Sequence, residues 1–146
     1  MTGRTANEQM NKPDRGPLLT ALALLFGLLA ASDLAKPLEA SLGGGLRPGF
    51  VLFGHRLSGT ANAVVGPLFG LYLLIYAAGI WRMRRWALPL GAVYAAYVIV
   101  NLTLFMLRDP EPMREGMLFG AIYALVAIGV SWGAVWLLVR RRDVLT

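Results

Sequence analysis

The sequence has no cysteine and a single histidine, His55. Without thiols the chain can carry no disulfide, no thiol redox chemistry, no iron–sulfur cluster and no thiolate–zinc site of its own. One imidazole cannot supply a bis-histidine haem or a multi-histidine metal site within one chain. Charge is scarce too. Asp, Glu, Lys and Arg make up 15 % of the chain, where a soluble domain carries about 25 %. Together these shortages exclude a disulfide scaffold, a disordered chain and a soluble enzyme of ordinary composition.

What is present is apolar. Hydrophobic residues are 57 % of the 146 residues and the mean hydropathy is +0.59. The length allows one domain. A spanning helix needs about 20 mostly apolar residues, and four runs qualify: 17–34, 57–81, 86–107 and 116–139. The first reaches span length only if its helix continues through Asp33 and Leu34. Backbone groups in hydrocarbon must pair within their own segment, so the expected fold is all-α, an integral membrane four-helix bundle. A polar tail, 1–16, precedes a single membrane domain, 17–146. The first run, ending Ala30-Ala31-Ser32, also resembles a signal peptide cleavable before Asp33. The long leading tail favours a retained helix.

The links are short except for 35–56, which carries the turn signals Gly43-Gly44-Gly45 and Pro48-Gly49. Its apolar patch Phe50-Val51-Leu52-Phe53 is too short to span. It is expected to lie in the interface or to dip back towards the bundle.

Arginine sets the orientation. With four spans, the tail, the second link and the C-terminal segment share a side that holds nine basic and three acidic residues; the other holds five of each. The positive-inside rule then places both termini in the cytoplasm. Trp81, Trp86, Trp132 and Trp136 agree, since all lie near the cytoplasmic ends of their helices as an aromatic belt would. In layout the chain resembles small four-span bacterial inner-membrane proteins, and that resemblance implies a multi-pass inner-membrane localisation and nothing residue by residue.

Three sets of residues are candidates for function. At the outer side Asn62 and Asn101 lie roughly 8 and 9 Å below their helix ends, with Tyr123 at similar depth and Asp33, His55 and Arg56 at the rim. They could line a shallow cavity in which His55 exchanges a proton. The plainer reading is a hydrogen bond between the two amides and ordinary headgroup contacts for His55 and Arg56. At the inner side Arg82, Arg84 and Arg85, and Arg140, Arg141 and Arg142, mark topology and suit anionic lipid headgroups. Small residues four apart occur at Gly66–Gly70, Gly116–Gly120 and Gly129–Gly133. They pack the bundle internally or make a face for a second chain.

No charged residue falls near the middle of a span, which weighs against a proton pump or an ion-coupled carrier. The first expectation is therefore a non-enzymatic accessory subunit or lipid-associated helper. Its partners would be membrane lipids and either further copies of itself or another membrane protein. No metal or cofactor is implied, and no nucleic acid. Alternatives are a small oligomeric permease or channel with a cavity open to the outer side, and a lipid- or quinone-directed enzyme using His55.

Overall fold

The computed structural model describes residues 15–41, 50–108 and 117–146. Among them are four helices long and apolar enough to cross a membrane, which suggest a multi-pass membrane protein. Helix α1 is Gly16–Leu34, followed by the short α2, Lys36–Ser41. Helices α3, Gly59–Trp81, α4, Ala87–Arg108, and α5, Met117–Arg140, complete the set. Pro17 opens α1 within its first turn, where the missing N–H costs nothing. The helix does continue through Asp33, and the candidate span that it opens reaches Leu38. Helix α3 runs unbroken through Pro67.

Large apolar side chains face outwards on these helices. Leu18, Leu28, Leu68 and Leu125 are 64, 70, 64 and 73 % exposed. In water such a surface would be a large aggregation liability; against acyl chains it is the expected lining.

The bundle is built as two tight pairs. Helix α1 packs along α3, and α4 packs along α5. The first pair is close because α3 offers glycines: a Cβ on Gly70 would stand 2.9 Å from the Ala30 carbonyl oxygen, and one on Gly66 3.4 Å from the Asp33 carbonyl oxygen. Helices α3 and α4 approach far less closely, although a short turn joins them. Aromatic rings fill the space between. Phe26 meets Tyr76 at 4.9 Å and Tyr94 edge-on at 5.5 Å, and Phe69 lies 6.1 Å from Tyr94 and 5.1 Å from Tyr97. Tyr76, Phe26, Leu73 and Ile80 are among its fully buried side chains.

The turn from α3 to α4 is a Schellman cap. The Arg84 N–H reaches the Gly79 carbonyl at 2.9 Å, the Met83 N–H reaches Ile80 at 3.1 Å, and Met83 has φ +53°. Glycine is usual at that position. Here methionine holds it because its side chain is 1 % exposed in the core, and burial outweighs a left-handed penalty of about 1–2 kcal/mol. The residues after α5 strap this turn down. The Thr146 N–H donates to Met83 and the Arg85 N–H to Thr146, both at 2.8 Å, and Leu145 is buried. This is the arginine end of the bundle.

At the opposite end stands a two-stranded hairpin that the sequence reading did not anticipate. Strands β1, Val51–Leu52, and β2, His55–Arg56, pair antiparallel, Val51 facing Arg56 and Leu52 facing His55. The turn residues Phe53 and Gly54 have φ +47° and +79°. Positive φ at both positions marks the type I′ turn, whose twist suits a two-residue hairpin.

Candidate functional site

The hairpin end gathers two of the six polar side chains predicted to matter there, Asn62 and Asn101, and adds Tyr97 and Arg108. The Phe50 N–H donates to Asn62 Oδ1 at 2.8 Å, and the Gly54 N–H donates to Asn101 Oδ1 at 3.0 Å. The Tyr97 hydroxyl donates to the Val51 carbonyl at 3.0 Å, and Arg108 Nη1 donates to the Phe53 carbonyl at 3.0 Å. Asn62 opens α3, and Tyr97, Asn101 and Arg108 descend one side of α4 at intervals of four and seven residues. That spacing keeps them on one face. The two amides are thus brought to one structure, but their oxygens turn to the hairpin between them.

Close packing completes the seat. The Phe50 ring lies 4.8 Å from Phe69, and Phe53 meets Tyr97 edge-on at 5.7 Å. Gly54 touches α4 so closely that a Cβ there would stand 2.6 Å from the Leu104 carbonyl carbon. A glycine is therefore required twice over, by its φ and by the helix behind it.

The remaining rim candidates sit apart. His55 and Arg56 are exposed on β2, with the Arg56 guanidinium 5.9 Å from the Phe105 ring centroid. Asp33 is partly buried against Gly70, about 12 Å further along α3 than Asn62. Tyr123 is 61 % exposed on α5. Sequence reasoning marked the 50–53 patch but not the part Gly54, Tyr97 and Arg108 play. The available signal was weak, a Phe53-Gly54 step after the apolar pair Val51-Leu52.

At the arginine end each guanidinium has its own setting. Arg15 stacks 3.9 Å over Trp81 and donates to the Trp81 carbonyl; Arg140 lies 3.8 Å over Trp136. Arg85 Nε donates to the Leu145 carbonyl at 3.0 Å, and Arg141 packs against Gly16. Arg82, Arg84 and Arg142 are exposed; the Arg142–Asp143 pair at 3.8 Å is open to solvent and contributes little. Trp81, Trp86, Trp132 and Trp136 are 46, 42, 47 and 52 % exposed at the same end.

The glycine pairs divide. Gly70 is covered by α1 and Gly66 by Lys36 of α2 and the end of α1, whereas a Cβ on Gly129 or Gly133 would meet nothing within 4 Å. Gly120 is half-buried on α5, and Gly116 lies outside the described residues. Compared with models of known families, with curated proteins and with solved structures, the chain finds no match.

Proposed function

We propose that the chain is a multi-pass protein of the bacterial inner membrane with both termini in the cytoplasm, acting as a non-enzymatic accessory subunit or lipid-associated helper. The observation that carries the reading is the contrast between the glycines. Those of α3 are used inside the bundle, while Gly129 and Gly133 leave a shallow strip on α5, beside the exposed Trp132 and Trp136. In lipid there is no hydrophobic force between helices, and close backbone approach at small residues is what a lateral partner gains. The arginines and half-exposed tryptophans at one end suit headgroups of anionic lipid. The two amides that would line a permease's cavity, Asn62 and Asn101, are committed to the hairpin backbone, which favours the accessory reading over a permease.

The test is chemical crosslinking in native membranes. The parent chain should give a discrete crosslinked species, a homo-oligomer or a complex with one other membrane protein. Gly129→Ile with Gly133→Ile should abolish it, and Gly66→Ala should not be needed to do so. A crosslinking pattern unchanged by the double substitution would remove α5 as the interface.

A further inference from the structure

The hairpin closes the gap between α3 and α4, and its attachment is of an unusual kind. Strands of two residues each are too short to hold by themselves. Their own pairing is extended by one bond, from the Leu57 N–H to the Phe50 carbonyl at 2.8 Å. Otherwise the hairpin is held from outside, by Asn62, Tyr97, Asn101 and Arg108 on its backbone and by two ring contacts. At the tip an aromatic residue, Phe53, takes a left-handed conformation that favours glycine or asparagine, and its side chain stays 50 % exposed. The strained φ and half-exposed ring of Phe53 oppose the closed position; the four hydrogen bonds and the buried Gly54 hold it.

What lies beneath differs in character. Phe69 and Tyr97 lead to Tyr94, Tyr72, Tyr76 and Phe26, a continuous column of rings between helices whose backbones are well separated. The column ends on the Tyr76 hydroxyl, which is fully buried with no hydrogen-bond partner and rests over Gly91.

We propose that residues 50–57 are a displaceable plug over the α3–α4 cleft, closed by side-chain hydrogen bonds to its backbone and able to withdraw while the four helices stay packed. Withdrawal exchanges each of the four bonds for one with water and bares Phe69 and Tyr97. Deeper rings remain within the bundle. The device is independent of the α5 interface, because hairpin and strip lie on different elements.

The absence of cysteine makes the test clean. A reporter cysteine at Phe69→Cys lies under the plug; a control at Ala77→Cys lies in the core two turns further on, 6 % exposed. Both are treated with a bulky hydrophilic maleimide in nanodiscs, where either membrane side is reachable. The wedge is Gly54→Val, which drives a side chain into the α4 backbone. It should raise labelling at position 69 by roughly tenfold or more, about the effect of losing one hydrogen bond of closure, and leave position 77 protected. No rise at 69, or equal labelling at both positions, overturns the proposal: the hairpin is then immovable or leaves only as the bundle comes apart. Amide exchange on the unsubstituted chain gives a second reading. The Phe50 and Gly54 amides should exchange well ahead of mid-α3 amides such as Leu73; exchange in step with Leu73 overturns it equally.

Discussion

Tyr76 and Gly91 show what one buried oxygen does to its surroundings. The Tyr76 hydroxyl is unpartnered, and it stands 2.5 Å from where a Cβ on Gly91 would be. A buried hydroxyl without a partner costs roughly 1–3 kcal/mol. Tyr76→Phe should therefore raise the thermal midpoint in detergent. Gly91→Ala should lower it, since a rigid ring has to move, by about 1–3 kcal/mol. The two are coupled: with Tyr76→Phe already in place, Gly91→Ala should cost measurably less. Strict additivity of the two shifts would show that the hydroxyl and the Cβ do not compete for the same space. None of this could be read from the sequence, where both residues are ordinary members of apolar helices. That Asn62 and Asn101 stand towards the same end of their helix pair could be read, because a short link joins α3 to α4 and helical rise does the rest. Their partner could not, because the hairpin is invisible to periodicity.

Elements were legible in proportion to their length. Four apolar runs marked α1, α3, α4 and α5, and the helices end within a few residues of the run boundaries. Length is decisive there because an unpaired backbone is intolerable in hydrocarbon. The strands of two residues carry no alternation to detect, and their turn uses Phe-Gly where Asn-Gly is the strong signal. The α3–α4 cap was hidden likewise, since Met83 occupies the place where glycine would announce it. The glycine pairs were visible as pairs but not as faces; only packing separates those of α3 from those of α5. That separation yields a test of stability rather than of association. Gly70→Ala sets a Cβ 2.9 Å from a backbone oxygen and 3.0 Å from the Leu34 nitrogen. Backbone cannot step aside as a flexible side chain can, so α1 and α3 must part, at a cost of about 1–3 kcal/mol. Gly129→Ala meets open space and should leave the unfolding midpoint unchanged or slightly raised, as a helix gains about 0.8–1 kcal/mol from that exchange. Circular dichroism melts in one detergent compare the two. Equal effects would mean that the α1–α3 contact is looser than its geometry.

At the scale of the whole molecule the two ends differ in their load of arginine and tryptophan. One end assembles Arg15, Arg82, Arg84, Arg85, Arg140, Arg141 and Arg142 with four half-exposed tryptophans and, among the described residues, the single acid Asp143. The other presents the hairpin with Phe53, His55, Arg56 and Arg108. Antiparallel neighbours impose this division. Arg15 at the start of α1 touches Trp81 at the end of α3, and Lys36 beyond α1 touches Gly66 near the start of α3. An asymmetry of this size acts during insertion, before any fold exists, because Lys and Arg near span ends resist translocation. The arginine end should therefore face the cytoplasm, and single cysteines at Phe53→Cys and Arg142→Cys should report it in spheroplasts. An impermeant maleimide should label the first at once and the second only after lysis. Replacing Arg82, Arg84 and Arg85 together by Gln should leave a mixed population, in which a fraction of chains shows the reverse pattern, because six of the nine basic residues on that side of the sequence remain against five on the other. Labelling of Arg142→Cys before lysis, with Arg82, Arg84 and Arg85 intact, would invert the assignment and place the hairpin, with its plug, on the cytoplasmic side.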